Sequence, residues 1–263
     1  MLGNNIFDTV LVYPILNVLI LFYKLFISIG LPGAFGFSII ALTVFIRLIL
    51  HPFFSKQIET TKKMQDLKPH LDRLSSKHKK DPKKLQSEQM RLYQEAGINP
   101  ATGCLFMLVQ IPVFFALYNT LSLFLMKGPT TKLIADINGV LYHPFLKIQS
   151  INSDFFIFNL AMSPQKSGLW YYYLVPVVTA ALQYLQVQAT TPAMAPTALA
   201  ENKDKKKEVS STSGDFQKAM NTQMKYIFPL MIGWFAYTLP LGLSLYWNIF
   251  SLFSIMQYKK LKS

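Results

Sequence analysis

The stretch Gly36–Lys56 constrains this chain most, because an arginine stands inside an apolar run of membrane length. A helix over Gly36–Phe54 would measure about 28 Å, close to the thickness of the hydrocarbon layer of a bilayer. Arg47 would then lie about 13 Å along the axis from the next cation, Lys56. Two interpretations remain open. The arginine snorkels to the surface of a locally thinned bilayer, or it faces a water-filled cavity inside a helix bundle, which is then the functional site.

The composition indicates a polytopic helical membrane protein. Hydrophobic residues make up 51% of the 263 positions and come in long runs, whereas the 26 Lys and Arg residues come in separate blocks. The net charge of +13 is explained by basic cytoplasmic loops, so no specific recognition of nucleic acid is expected. The single Cys104 excludes an internal disulfide, and no spacing of Cys or His predicts a metal site. The N-terminal residues lack the features of a secretory signal peptide, so we expect Met1 to begin the working protein.

We predict an all-α membrane protein, with a bundle of five transmembrane helices, an N-terminal interfacial helix and a cytoplasmic helical hairpin. Asn17, Lys24 and Ser28 put polar groups on one face of residues 9–30, which favours an interfacial over a spanning helix and leaves both open. The predicted segments are the N-terminal helix 1–34, transmembrane helices 35–54, 100–126, 168–189, 225–239 and 241–258, the hairpin 55–99, an extracytoplasmic loop 127–167, a linker 190–224 and a basic tail 259–263.

The positive-inside rule orients this bundle. The hairpin, the linker with Lys225 and the tail hold 11, 6 and 3 of the 26 Lys and Arg residues, and all three fall on the same side of the membrane. The Pro-, Ala-, Ser- and Lys-rich composition of Thr190–Thr222 predicts disorder. Within the extracytoplasmic loop, Phe155–Met162 is too short to span, so we expect it to return to the membrane surface.

The hairpin Ser55–Gly97 is predicted from amphipathic periodicity. Leu67, Leu71 and Leu74 follow the i, i+4, i+7 pattern of one helix face, and Tyr93 on the second helix is a further candidate residue of the hairpin. Pro69 should kink or restart the first helix. Asp81-Pro82 should begin the second helix and Gly97 should end it.

The spans lack the residues that membrane catalysis requires. No Asp, Glu or His lies centrally in any predicted span, which argues against an enzyme and against a proton-coupled transporter. The spans instead carry neutral polar groups around one cation. That combination suits a wet, non-catalytic groove for polar peptide, and its candidate residues are Arg47, Thr43, Gln110, Gln183 and Asn248.

Three stretches resemble the YidC-type membrane protein insertases. They are IIALTVFIRLILHPFFSKQ, the charged segment from KMQDLKPHLDRL through GINPATGCLFMLVQIPVFFALY, and PLGLSLYWNIFSLFSIMQ. The resemblance covers more than half of the chain, most closely Phe35–Leu125 and Gln223–Lys260. It implies a five-span bundle whose hydrophilic groove opens to the cytoplasm and sideways to lipid, with Arg47, Gln110, Gln183 and Trp247 matching the groove residues of the family.

The resemblance also implies function and partners. The chain would act as an insertase and membrane chaperone in the bacterial inner membrane, without a cofactor, on nascent membrane proteins in the lipid bilayer. The Sec translocon and ribosomes would be further partners. The chain departs from the family at Phe106, where a proline is usual, and at His51. A large extracytoplasmic domain is not evident. The alternative function is a small-solute channel or transporter with an anion site at Arg47.

Overall fold

The computed structural model describes residues 5–78, 81–99, 101–126, 130–190 and 223–262, and most of these residues are helical. The predicted linker lies outside this described part, apart from its first and last residues. The helices are, in chain order, α1 (Asp8–Ser28, whose first turn Asp8–Val12 is π-helix), α2 (Ala34–Ile49), α3 (His51–Asp66), α4 (Lys68–Lys77), α5 (Pro82–Glu95), α6 (Ala101–Leu125), α7 (Thr131–Gly139), α8 (Pro164–Ser167), α9 (Leu174–Thr190), α10 (Phe228–Thr238) and α11 (Leu241–Lys262).

The bundle is built around α2, α9 and α11. Helix α11 packs against both α2 and α9, while α1 packs on α2 and α10 packs on α9. Helix α6 joins the bundle through contacts with α1, α3 and α11. The largest fully buried side chains come mainly from α1, α2 and α6, and three of them, Phe35, Leu117 and Leu121, belong to one continuous core with residues of α11.

The first predicted span is two helices, so the prediction of a single helix over Gly36–Phe54 is wrong. Helix α2 ends at Ile49, the chain breaks at Leu50, and α3 continues at an angle of 68°. Pro52 explains the break, because it has no N–H to donate to the carbonyl group of Leu48 and its ring crowds the preceding turn. Pro112 does not break its helix, since α6 continues through this proline and is 25 residues long.

One helix and one bent pair of helices among the described residues bear on the membrane crossing. By length and composition, α1 is apolar enough and long enough to cross a membrane. Helices α2 and α3 are long enough to do so only when they are taken together across their bend. The core helix of a water-soluble protein can pass this test as well, so these helices alone do not identify a membrane protein. The count of five spans and the interfacial position of α1 remain predictions.

The predicted extracytoplasmic loop is folded and covers one end of the bundle. It contains α7, α8 and a two-stranded antiparallel hairpin of β1 (Asp154–Phe155) and β2 (Phe158–Asn159). Ile148, Ile151 and Leu160 are buried in the main core. The amide groups of Leu241 and Gly242 donate hydrogen bonds to this loop, so it also holds the start of α11. We call residues 130–167 the cap.

Candidate functional site

Arg47 lies in the last turn of α2, where its side chain is 3% exposed. The carbonyl groups at the C-terminal end of a helix carry partial negative charge, which favours a cation there. The sequence predicted an arginine deep within a straight span. The break at Leu50 changes that position, because Arg47 now stands three residues before the bend.

Four neutral groups surround the guanidinium of Arg47. Nη2 donates to the backbone carbonyl of Phe250, at 3.1 Å, and to Oγ of Ser254. The rings of Phe54 and Phe250 lie over the guanidinium, with their centroids 4.2 and 3.8 Å from Cζ. Nε is buried and has no hydrogen-bond partner among the described residues. The two ion pairs in the described part of the chain both lie in α3–α5 and do not involve Arg47.

This environment lowers the cost of the buried charge only in part. Aromatic faces attract a cation through their quadrupole, and each such contact contributes about 0.5–2 kcal/mol. A carbonyl and a hydroxyl group each accept a hydrogen bond from the guanidinium, yet neither carries a negative charge. Arg47 is therefore held in place by its hydrogen bonds to α11 and covered by Phe54 of α3, and no carboxylate among the described residues compensates its positive charge.

A small cavity of about 10 Å³ adjoins Arg47. It brings Arg47 together with two other predicted site residues, Thr43 and Gln110. The Thr43 hydroxyl donates a hydrogen bond to the carbonyl of Ile39 within its own helix, at 2.7 Å. Its oxygen can still accept a hydrogen bond from another group. The remaining lining is mostly apolar and comes from α2, α3, α6 and α11: Ile46, Leu50, Phe54, Val113, Leu117, Tyr246 and Phe250.

The other three predicted groove residues lie outside the lining of this cavity. Gln183 on α9 is 7% exposed and accepts a weak hydrogen bond from Ser251, at 3.4 Å, next to the Phe250 that holds Arg47. Trp247 stacks on Phe114, with ring centroids 5.6 Å apart and planes at 25°. Asn248 has a buried side-chain oxygen without a hydrogen-bond partner among the described residues.

Three residues that contact Arg47 were not predicted from the sequence, namely Phe54, Phe250 and Ser254. A weak signal was present, since Phe250 and Ser254 stand four residues apart and so share one face of the last helix. The sequence indicated a contact between Phe54 and Arg47 even less clearly. Phe54 reaches Arg47 only because the chain turns at Leu50, and a straight helix would place it about 10 Å farther along the axis.

The hairpin residues form a second, separate cluster. Leu71 and Tyr93 are each 6% exposed and pack with Ile98, while Leu67 is half-buried against them. Burial raises the pKa of the Tyr93 phenol above its ordinary value. Leu74 faces a surface cleft of about 300 Å³ between α4 and α5, whose other lining side chains are mostly charged. The predicted start of the second helix is confirmed, because the Asp81 side chain accepts a hydrogen bond from the amide of Lys84.

Comparison with known proteins gives a consistent set of similarities. The family model described as "60Kd inner membrane protein" matches residues 26–263. The "Membrane protein insertase YidC" of Alkalihalophilus pseudofirmus is 35% identical over 97% of this chain and 81% of that protein. The "Inner membrane ALBINO3-like protein 2, chloroplastic" of Chlamydomonas reinhardtii is 34% identical over 90% of this chain.

The relatives differ in how much of their own length is matched. The chain spans 51% of the algal protein. A "Membrane protein insertase YidC" from Caulobacter vibrioides is 49% identical over 41% of this chain, and that match covers 17% of the Caulobacter protein.

Proposed function

The chain belongs to the family of the 60Kd inner membrane protein, and on that premise we propose that it inserts membrane proteins into the lipid bilayer. The family assignment confirms the predicted resemblance to YidC-type proteins and the predicted location in the bacterial inner membrane. Relatives of the chain are named as membrane protein insertases, and a non-enzymatic function is part of our proposal.

The observation that carries the proposal is the uncompensated charge of Arg47. A cation that is 3% exposed and has no carboxylate partner among the described residues is expensive to keep in a membrane protein, and such residues usually mark a functional site. An acidic or polar segment of a substrate would supply the negative or dipolar partner that Arg47 lacks.

The proposed mechanism needs only binding and release. The polar tail of a substrate helix would enter from the hairpin side and approach Arg47, with Thr43 and Gln110 offering hydrogen bonds beside it. Gln183 and Asn248 would extend this polar path along α9 and α11. Trp247 would border it with its stacked ring. These neutral groups lower the cost of bringing peptide groups into the bilayer.

Hydrophobic burial would then complete the insertion. The apolar span of the substrate gains free energy as it leaves water and moves sideways into lipid, at about 25 cal/mol per Å² of apolar surface. The process therefore requires neither a nucleotide nor a cofactor of its own. The proposal includes nascent membrane proteins as substrates, and the Sec translocon and ribosomes as partners in delivery.

Two structural features favour insertion over a channel or transporter. The cavity beside Arg47 is small and mostly apolar, whereas a conducting path for solutes needs a continuous polar lining. The folded cap lies across the end of the bundle where α2 and α11 begin, so a path through the bundle would meet packed residues.

One reconstitution tests the proposal against this alternative. The purified chain is incorporated into liposomes, and the same preparation is used for two assays: insertion of a single-span substrate with a short polar tail, and conductance after fusion to a planar bilayer. We expect the substrate to become protected from added protease, without ionic current above that of protein-free liposomes. Current without insertion would overturn the proposal.

A further inference from the structure

Helix α3 presents one narrow buried face to the bundle. Phe54, Ile58 and Thr61 are 3, 7 and 7% exposed, and Gln65, one turn farther on, is half-buried. These four positions are spaced by four, three and four residues, so they form a single stripe along the helix. The opposite face carries the charged residues, including the exposed ion pair between Glu59 and Lys63. Two large apolar side chains of this helix, Phe54 and Ile58, are buried against the bundle.

The two ends of this stripe contact two different helices, α2 at one end and α11 at the other. At the first end, the Phe54 ring covers the guanidinium of Arg47. At the other end, the hydroxyl group of Tyr258 donates a hydrogen bond to Oε1 of Gln65. Phe54 and Gln65 lie about 16 Å apart along α3, so the hydrogen bond fixes the far end of the helix relative to the aromatic contact.

The break at Leu50 provides a hinge at the near end. The chain changes direction by 68° between α2 and α3 without a side-chain cap. Arg47 does not depend on α3 for its hydrogen bonds, because both of them go to α11. A rotation of α3 about Leu50 would thus remove the Phe54 ring and leave the guanidinium in position, with one face open.

We propose that α3 is a movable cover of the Arg47 cavity and that Tyr258 and Gln65 are positioning residues that hold it closed. The inference deepens the proposed function and rests on it for one step, namely that the opened face of Arg47 receives an acidic segment of the substrate. The closed position of the cover itself follows from the contacts of Phe54, Gln65 and Tyr258.

The closed cover can be tested by chemical labelling without any substrate. Cys104 is the single cysteine of the chain. In a Cys104→Ser background, Thr43→Cys places a thiol beside Arg47 in the covered cavity. Inverted membrane vesicles, whose hairpin face is outward, are treated with two small methanethiosulfonate reagents, one anionic (sulfonatoethyl) and one cationic (trimethylammonioethyl).

Tyr258→Phe and Gln65→Leu each remove the hydrogen bond and should accelerate labelling by the anionic reagent by about fivefold, the equivalent of one typical hydrogen bond. Labelling by the cationic reagent should accelerate less, because an uncovered Arg47 repels that reagent. Phe54→Ala should accelerate anionic labelling by itself. Adding Tyr258→Phe to Phe54→Ala should change little. The matched control is Tyr142→Phe, at an exposed tyrosine of the cap, which should leave both rates unchanged.

Unchanged anionic labelling in both Tyr258→Phe and Gln65→Leu would overturn the inference. Equal acceleration of both reagents would also overturn it, because this would indicate general loosening rather than exposure of a cation. Insertion assays on the same variants separate the two proposals. Normal insertion with unchanged labelling contradicts the cover alone, whereas a wild-type chain that fails to insert any substrate contradicts the proposed function.

Discussion

The ring of Phe155, at the end of β1, packs directly against the backbone of Gly36 in the first turn of α2. A Cβ atom added at Gly36 would lie 2.7 Å from Cε2 of Phe155 and would overlap other atoms of the same ring. The ring also stands edge-on to Phe37, with centroids 5.2 Å apart. The cap is thus joined to the bundle through a contact that requires glycine.

Gly36→Ala should therefore destabilise the protein. The added methyl group must displace the Phe155 ring, and overpacking of this kind costs about 1–3 kcal/mol. Thermal unfolding in detergent measures the effect. Gly139→Ala is the matched control, since a Cβ atom there meets nothing within 4 Å and the melting temperature should change little. Phe155→Ala combined with Gly36→Ala should recover part of the loss. An unchanged melting temperature for Gly36→Ala would refute this packing.

A second junction between cap and bundle depends on Asn17 of α1. Its side-chain amide donates to the carbonyl groups of Tyr13 and Val140, at 2.8 and 3.2 Å, and its oxygen accepts from the amide of Tyr142, at 2.7 Å. Asn17→Leu leaves the Val140 and Tyr142 backbone groups without these partners and should cost about 2–4 kcal/mol. We expect a lower melting temperature and faster protease cleavage near Tyr142. Ser28→Ala on the exposed end of the same helix should have neither effect.

Local sequence patterns predicted most helices but not the contacts between them. The cap at Asp81 and the end of α5 before Gly97 depend on neighbouring residues only, so their local signals were sufficient. Asn17 was assigned to a polar face of an interfacial helix. It is 5% exposed, because residues more than 120 positions away supply two of its hydrogen bonds. Periodicity carries no information about such partners.

The candidate site shows the same division. The isolated arginine in an apolar run identified Arg47, and Thr43 one turn earlier on the same helix followed from it. The position of Phe54 depends on the angle of the bend at Leu50. A proline in the sequence predicts that a helix breaks, but it does not predict the angle. The contacts of Phe250 and Ser254 depend on how α11 packs against α2, and this is decided by tertiary structure.

The packing of the hairpin predicts a large effect of Leu71→Ala. Leu71 is buried with Tyr93 and Ile98, and truncation of a buried leucine costs about 2–5 kcal/mol. Hydrogen exchange of the backbone amides should become faster in both α4 and α5, because the two helices share this cluster. Ser76→Ala, on the exposed side of α4, should leave exchange unchanged. Faster exchange in α4 alone would mean that the two helices do not stabilise each other.

The raised pKa of the Tyr93 phenol predicts a weakening of the hairpin at alkaline pH. The folded state favours the neutral phenol, so its stabilising contribution is complete below the ordinary pKa of 10.0 and is lost as the pH rises through the higher folded value. The difference in tyrosinate absorbance at 295 nm between wild type and Tyr93→Phe should titrate above 10 in the folded protein. The same difference should titrate near 10 in denaturant. Identical titrations in both states would contradict the burial of this side chain.

The most direct measurement of the central claim compares Arg47 variants on paired substrates. Two single-span substrates, identical except for an acidic or a neutral translocated tail, are presented to liposomes that contain equal amounts of wild type, Arg47→Lys or Arg47→Ala. If the charge recruits the tail, Arg47→Ala should insert the acidic substrate about tenfold more slowly, which corresponds to about 1.4 kcal/mol, and should affect the neutral substrate less. Arg47→Lys should retain part of the preference, because the charge remains while the planar guanidinium is lost. Equal insertion of both substrates by Arg47→Ala and wild type would contradict the account.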